Sequence, residues 1–195
     1  MVERAAPSSD GRRRRSETSR DKIVAAMLQL VAEGQITPSA DQVAARAAVG
    51  LRSVFRHFKD MESLYAAMTA RLSRQYEMWL VPFEASDWRG QLRETIARRL
   101  GTYERLMPFK RAADAHRHES AAIQTEHART LALMRARLKS VLPDQIAADE
   151  LVFEAIDLLL SFETWQRLRM EQGLSAERAA ALITAQVDRL VEPVH

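Results

Sequence analysis

Residues 39–58, SADQVAARAAVGLRSVFRHF, decide the fold, because they have the pattern of two short helices joined by a tight turn. The hydroxyl of Ser39 is placed to cap a helix, and Gln42, three residues later, completes a capping box. Small residues on one face of this helix, such as Ala47, let a second helix approach closely. The second helix is predicted to begin near Gly50. The stretch therefore predicts a helix-turn-helix.

The second helix of this motif has one apolar face and one basic, aromatic face. Val54 and Phe58 are four residues apart and form the predicted buried face. The residues left to face a partner are Leu51, Arg52, Ser53, Phe55, Arg56 and His57. Arginine binds guanine edges or phosphates, serine bonds to either, and an aromatic ring packs on sugars or thymine methyls. We expect this face, with Ser39 and Lys59 at its edges, to bind double-stranded DNA.

A basic segment precedes the motif. Residues 1–17 lack apolar periodicity and are predicted to form a disordered arm, and the arm contains four consecutive arginines: Arg12, Arg13, Arg14 and Arg15. Such an arm either adds minor-groove or phosphate contacts or is simply a solvated terminus. Residues 1–60 contain 11 Lys/Arg and 7 Asp/Glu, whereas the remainder contains 18 and 19. The basic excess therefore lies in the arm and the motif.

The motif resembles the DNA-binding domain of TetR-family regulators, whose consensus runs roughly T-x-x-x-I-A-x-x-A-G-V-S-x-x-x-L-Y-x-H-F-x-x-K-E-x-L. The matching residues are Ser39, Val43, Ala44, Ala47, Val49, Val54, Phe55, His57, Phe58, Glu62 and Leu64. Three departures from it matter. Gly50 replaces a capping serine, and Phe55 replaces a phosphate-binding tyrosine. Met61 replaces a phosphate-binding lysine. Lys59, two residues earlier, either takes the place of that lysine or does not.

Composition favours a helical, soluble protein. Of the 195 residues, 47% are hydrophobic, and glycine and proline number only six each. With no cysteine, the fold cannot depend on disulfides, which fits a reducing cytoplasm. No signal peptide is recognisable, and no apolar stretch is long enough to span a bilayer. We expect a cytoplasmic protein that does not insert into membranes.

The predicted architecture is all-α, with a three-helix N-terminal DNA-binding domain and a six-helix C-terminal domain. The proposed division is residues 1–17 for the arm, 18–65 for the DNA-binding domain and 66–195 for ligand binding and dimerisation. Proline and glycine mark most helix ends. The predicted helices are residues 19–33, 39–47, 50–58, 61–82, 88–107, 109–118, 121–142, 147–171 and 176–191. The last two are predicted helices 8 and 9.

Predicted helices 8 and 9 are candidates for a dimer interface. Residues 151–162 leave almost no polar face, and residues 176–191 carry an apolar stripe with small side chains. These helices either pair with their copies in a homodimer, as the resemblance implies, or bury into their own domain. A two-fold dimer places its two recognition helices in successive major grooves of a palindromic site.

Five residues are candidates for an effector pocket in the C-terminal domain. They are aromatic, methionine or histidine residues: Tyr103, Met107, His127, Met134 and Phe162. Such side chains line pockets for apolar small molecules, although at helical spacing they also build ordinary cores. His127 is either a polar anchor for the ligand or a surface residue. The resemblance implies that the pocket holds an inducer.

Catalysis is not expected. The cluster Asp114, His116, His118 and Glu119 contains metal-ligand side chains, but the two histidines are two residues apart and point to different sides of a helix. The chain also lacks a phosphate-binding loop, a nucleophile elbow and an H-E-x-x-H motif. We therefore predict neither a metal nor a cofactor.

The sequence favours a homodimeric, ligand-responsive transcriptional regulator. The resemblance implies a repressor that a small apolar molecule releases from a palindromic operator. The alternative is a helical small-molecule-binding or assembly protein that has lost specific operator recognition, a hypothesis favoured by Phe55 and Met61. The retained arginines Arg52 and Arg56 favour the regulator.

Overall fold

The computed structural model describes residues 9–73 and 79–192, with side chains from residue 16 onward in those ranges. This part of the chain contains ten α-helices and no strand, which confirms the all-α prediction. The helices are α1 Ser9–Ala32, α2 Ala40–Arg46, α3 Leu51–His57, α4 Met61–Ser73, α5 Trp88–Arg117, α6 Ala121–Lys139, α7 Asp144–Ala148, α8 Glu150–Leu159, α9 Phe162–Gln166 and α10 Ala176–Val191. A π-helical turn, Arg167–Glu171, follows α9.

The chain forms two compact units. The first unit comprises Met1–Arg71 and Pro108–Gln124, and the second comprises Leu72–Met107 and Thr125–His195. The sequence-based division placed residues 108–124 in the C-terminal domain, whereas their contacts group them with the N-terminal helices. One such contact is the His116 ring, which lies on the Tyr65 ring with 3.9 Å between centroids.

The first unit is built around an apolar stripe on α1. Helix α1 packs against α2 and α3, as its buried residues at helical spacing predict. The fully or almost fully buried side chains of this core are Ile23, Val24, Met27, Val31, Val43, Val54, Phe58, Leu64, Tyr65 and Met68. Burial of this stripe fixes the positions of α2 and α3, because both helices pack on α1.

The predicted disordered arm, residues 1–17, requires a correction from Ser9 onward, and residues 1–8 lie outside the described residues. Helix α1 begins at Ser9, so Arg12 to Arg15 have a helical backbone rather than an irregular one. Arginine is a good helix former, and the only proline nearby, Pro7, precedes the helix. Local propensity thus extends the helix beyond the last apolar residue of its stripe. The side chains of Arg12 to Arg15 lie outside the described residues.

A second correction concerns Pro108. The sequence predicted a helix end there, but α5 runs without interruption from Trp88 to Arg117. Proline inside a helix lacks an N–H and costs about 3 kcal/mol. Leu106 and Met107 before it, and Ala112 and Ala113 after it, are buried. Their burial on both sides of the proline offsets that cost.

A third correction concerns residues 147–171, which were predicted as one helix. Instead, the chain forms α7, which ends at Ala148, and then α8, α9 and the π-helical turn. Ser161 starts α9, since its Oγ accepts a hydrogen bond from the Thr164 N–H at 3.1 Å. The Thr164 hydroxyl in turn donates to the Leu158 carbonyl at 2.7 Å. These local side-chain bonds replace a helical turn. Helix α10 has the bounds that were predicted.

The fourth predicted helix is described only in part. Helix α4 covers Met61–Ser73, residues 74–78 lie outside the described residues, and residues 81–87 are not helical. Because residues 74–78 are not described, the predicted end of this helix near Pro82 stays a prediction. In the second unit, α5, α6, α8, α9 and α10 surround one core, whose largest fully buried side chains include Tyr103, Trp165, Leu138 and Ile156.

Candidate nucleic-acid interface

Helix α2 is fixed at both ends by hydrogen bonds. The Gln42 N–H donates to Ser39 Oγ at 3.2 Å, and the Ser39 N–H donates to Gln42 Oε1 at 2.8 Å, so the predicted capping box is present. Near its end, Arg46 donates two bonds of 2.7 Å to the Glu33 carboxylate of the α1–α2 connection. These bonds hold the pKa of Glu33 below its usual value. Helix α2 is thus tied to α1.

The turn between α2 and α3 contains a backbone conformation that the sequence analysis missed. Ala48 has a φ of 54°, in the left-handed region that alanine rarely adopts. The TetR consensus has glycine at this position, so the signal was available in the sequence. Gly50 has extended backbone angles and is the N-cap of α3, without a side-chain cap. The turn sets the direction in which α3 leaves.

The exposure of α3 agrees with the predicted pattern. Val54 and Phe58 are buried, with 1% and 3% of their surface exposed. The predicted DNA-facing residues are exposed or half-buried: Leu51, Arg52, Phe55, Arg56 and Lys59 are exposed, and Ser53 and His57 are half-buried. The exposed face therefore combines three cationic side chains with two apolar ones, a composition suited to phosphates and base edges.

Arg20 and His57 complete the electrostatics of this region. The Arg20 guanidinium lies 4.9 Å from the centre of the buried Phe58 ring. Burial, followed by the charges of Arg56 and Arg20, lowers the pKa of His57. The imidazole is thus uncharged at neutral pH. Its Nε2 atom is buried and has no hydrogen-bond partner among the described residues.

Helix α4 begins directly behind this face. Asp60 caps it, because its Oδ1 accepts a hydrogen bond from the Ser63 N–H at 2.8 Å. Met61, the first residue of α4, is half-buried. Lys59, two residues earlier, is exposed, so it offers a cationic side chain near the position where the consensus has lysine.

Tyr65 connects three segments of the first unit. Its hydroxyl donates to the Ile36 carbonyl at 3.1 Å, and its ring lies 3.9 Å from the His116 ring. Burial raises the pKa of Tyr65 to about 12, so the hydroxyl remains a donor at neutral pH. The loop before α2, helix α4 and the end of α5 therefore meet at one side chain. Sequence reasoning missed this contact because no local pattern links residues so far apart.

The predicted effector residues lie mainly in a packed core. The Tyr103 hydroxyl is 3.0 Å from both Met134 Sδ and the Leu160 carbonyl oxygen, and the Tyr103 ring meets Phe162 edge to face. Met107 is also buried, whereas His127 is half-buried. The structure thus brings Tyr103, Met134 and Phe162 together. None of the five residues lines either of two surface concavities found among the described residues of the second unit.

The acidic and histidine cluster near the end of α5 is used in local contacts. Both carboxylate oxygens of Asp114 lie 2.7 Å from Lys110 Nζ, and His116 stacks on Tyr65. In residues 9–73 and 79–192, no three metal-ligand side chains come close enough to hold an ion. Over the same residues, no helix combines the length and apolar character that crossing a bilayer requires.

Comparisons with known proteins give structural relatives only. No protein-family model and no curated protein sequence matches the chain significantly. A transcriptional regulator from Rhodococcus sp. Rha1 is similar with a TM-score of 0.67 and 16% identity, covering 89% of this chain and 96% of its own. The multidrug-binding protein EbrR, solved with imidazole, has a TM-score of 0.61, 22% identity and 90% coverage of both chains.

A third solved structure carries the family name. A TetR-family transcription regulator from Marinobacter aquaeolei VT8 is similar with a TM-score of 0.55 and 18% identity, covering 89% of this chain and 97% of its own. The similarity covers 89% to 90% of this chain in each case. The chain therefore has the fold of the TetR-family transcriptional regulators.

Proposed function

We propose that this protein is a member of the TetR family and a DNA-binding transcriptional regulator without catalytic activity. The observation that carries the proposal is the exposed face of α3, where Arg52, Arg56 and Lys59 surround Leu51 and Phe55. The cationic side chains can bind phosphates and guanine edges, and the Phe55 ring, which is 46% exposed, can pack on a sugar or a thymine methyl. The fold of transcriptional regulators supports the same conclusion.

The regulator acts as a homodimer. Three large apolar residues on α8 and α10 are exposed: Leu151 by 84%, Leu158 by 67% and Leu182 by 41%. Leu151 and Leu158 are seven residues apart on α8 and share a face, and α10 packs against α8. An exposed apolar patch of this kind marks an interaction site. A second copy on this surface would give the two-fold symmetry that a palindromic operator requires.

The regulator is a repressor that a small apolar molecule releases from its operator. EbrR, whose fold this chain shares, is a multidrug-binding protein. Of the five residues predicted to contact the effector, Tyr103, Met134 and Phe162 would do so only if their packing on one another opened. Release requires the ligand to bind better to a conformation whose recognition helices no longer match the DNA.

Selection from a randomised DNA pool tests the proposal. The full chain is mixed with random duplexes, and the bound fraction is sequenced. We expect a palindrome to be enriched, and Arg52→Ala plus Arg56→Ala to abolish the enrichment, since each arginine contact to a base contributes about 1–3 kcal/mol. The matched control is Arg129→Ala plus Arg167→Ala, which removes the same charge from exposed positions of the second unit.

The outcomes separate the regulator from its alternative. If the wild type selects no sequence at moderate salt, specific operator recognition is absent, and the chain is a small-molecule-binding or assembly protein. If a palindrome is enriched but the control double variant loses it equally, net charge rather than α3 determines binding. Either result would contradict the assignment of α3 as the recognition helix.

Ultracentrifugation tests the dimer. Leu158→Glu places a charge on the exposed face of α8 and is expected to give monomers at concentrations where the wild type sediments as a dimer. Leu131→Glu, on α6, is the matched control because Leu131 is also exposed, by 39%. A wild-type monomer, or equal dissociation of both variants, would exclude the interface on α8 and α10.

A further inference from the structure

The second unit contains a groove that the sequence analysis did not predict. It has a volume of about 550 Å³ and lies between α5, α9 and α10. This volume is within the usual range of small-molecule sites. The lining runs along α5 from Arg93 to Arg105, which is about 18 Å of helix at a rise of 1.5 Å per residue. The groove is therefore elongated.

The middle of the groove is apolar. Ile96, Leu100 and Trp165 form its floor and are themselves almost fully buried. Its walls carry small side chains, with Ala97 and Gly101 on α5 opposite Ala180 on α10. A Cβ built on Gly101 would approach only the end of the Arg105 side chain, at 3.6 Å. Small residues on both walls thus keep the groove open.

The charged groups of the groove differ in whether they are already paired. At one end, Glu104 accepts hydrogen bonds from Arg169 on both carboxylate oxygens, and from the Trp165 indole at 3.0 Å. Glu177, in the first turn of α10, accepts bonds from its own backbone N–H and from Ser175, which keep its pKa low. These two carboxylates are therefore engaged within the protein.

Arg105, at the same end, is a cation without a carboxylate partner among the described residues. Its guanidinium donates only to the Thr102 hydroxyl, at 3.2 Å, and is exposed. At the opposite end, Arg93 is only 3.7 Å from Asp188 and is 67% exposed. Arg105 is therefore the cation of the groove that has no carboxylate partner among the described residues, whereas Arg93 pairs with Asp188. Arginine binds carboxylates with two parallel bonds.

We propose that this groove binds an amphipathic carboxylate, with its apolar chain on Ile96 and Leu100 and its carboxylate on Arg105. A fatty acid of medium length has the required shape, because one end is anionic and the rest is narrow enough for walls of alanine and glycine. The binding itself depends only on the groove. That the ligand releases the protein from DNA rests on the proposed function.

Titration calorimetry of the full chain with decanoate tests the binding. We expect saturable binding, and Arg105→Gln is expected to weaken it at least about tenfold. Decan-1-ol, which lacks the charge, should bind Arg105→Gln and the wild type equally. Arg129→Gln is the matched control, since Arg129 is an exposed arginine on α6 away from the groove.

A second variant tests the apolar part of the site. Gly101→Met places a side chain in the groove and should abolish binding of both decanoate and decan-1-ol, while its unfolding midpoint shows that it folds. No decanoate binding to the wild type at up to about 1 mM would overturn the proposal. Equal affinity of wild type, Arg105→Gln and Gly101→Met would do so too. If decyltrimethylammonium bound more tightly than decanoate, the groove carboxylates would select a cation, and this result too would overturn the proposal.

A separate measurement on DNA keeps the two proposals distinguishable. If decanoate binds as expected but no duplex is bound, the groove stands and the proposed function fails. If a palindrome is bound and decanoate does not bind, the function stands and the groove proposal fails. If both bind, we expect decanoate to lower the affinity for the palindrome in the wild type but not in Gly101→Met.

Discussion

Phe55 and Phe162 both lie on short helices, yet 46% of the first is exposed and only 4% of the second. On α3, Val54 and Phe58 occupy the buried face, which leaves Phe55 beside two arginines in solvent. On α9, Phe162 packs against Tyr103 of α5, with 5.6 Å between ring centres. Whether an aromatic side chain is buried in a core or exposed on a surface therefore depends on the residues around it and not on its type.

The largest expected effect is the difference in the free energy of unfolding between alanine variants of these two phenylalanines. Phe162→Ala should lower the free energy of unfolding by about 3–5 kcal/mol, because it leaves a cavity in a packed core. Phe55→Ala should change it by less than about 0.5 kcal/mol, as is usual for exposed positions. Urea unfolding of both variants measures the difference. A small loss for Phe162→Ala would mean that the region around Tyr103 is open rather than packed, and would favour an effector pocket there.

Tyr103→Phe tests the polar part of the same core. The change removes a hydroxyl from between Met134 Sδ and the Leu160 carbonyl. The Leu160 carbonyl is then buried without this donor, and we expect a loss of about 1–3 kcal/mol in the free energy of unfolding. Thr37→Val, which removes an exposed hydroxyl from the α1–α2 connection, is the control and should cost less. No difference between the two would show that the hydroxyl contact is weak.

Ala48→Gly should stabilise the first unit. Ala48 has a φ of 54°, and the left-handed conformation costs alanine about 1–2 kcal/mol, part of which glycine loses again through its freer unfolded chain. The expected net gain is about 0.5–1 kcal/mol, measured by thermal or urea unfolding. Ala45→Gly, in helix α2, is the matched control and should lose about 1 kcal/mol. A loss for both variants would contradict the left-handed turn.

The smallest effect concerns the ion pair that ties α2 to α1. The pKa of Glu33 is lowered from 4.5, mainly by its hydrogen bonds with Arg46. A carboxylate whose pKa is lowered in the folded state stabilises the fold at pH values above its unfolded-state pKa. That contribution is lost as the pH falls through its folded-state pKa. The stability difference between wild type and Arg46→Gln should therefore be present above pH 4.5 and shrink in more acidic solution.

Arg52→Gln is the control for this pH dependence. Arg52 is an exposed arginine on α3. The free energy of unfolding of Arg52→Gln should differ from that of the wild type by the same amount above and below pH 4.5. Unfolding of all three proteins in urea at several pH values provides the measurement. A difference for Arg46→Gln that does not vary with pH would show that the pair contributes nothing in solution.

Much of the helix-turn-helix could be predicted because its determinants are local. The capping box of Ser39 and Gln42 lies within four residues, and the buried pair Val54 and Phe58 lies within one helical turn. Periodicity within one helix decides which side chains face outward, so the exposure of Arg52 and Arg56 followed from the sequence. Ala48 was missed although the consensus contained its signal.

Elsewhere, interactions that the helical patterns do not include overrode the predictions. Pro108 predicted a helix end, but burial of its neighbours on both sides kept α5 continuous. Ser161 is one polar residue in an apolar run, and its bond to Thr164 divides that run into two helices. The five predicted effector residues have the composition of a pocket, yet Tyr103 and Phe162 pack on each other.

The sequence by itself determined the all-α class, the capped helix-turn-helix and the basic face of α3, because these depend on propensity, capping and periodicity over a few residues. Only the tertiary structure decided that residues 108–124 belong with the N-terminal helices, that Tyr103 lies in a packed core, and that a groove opens along the other side of α5. These depend on which surfaces meet after folding, and residues far apart in the chain supply both sides of each contact.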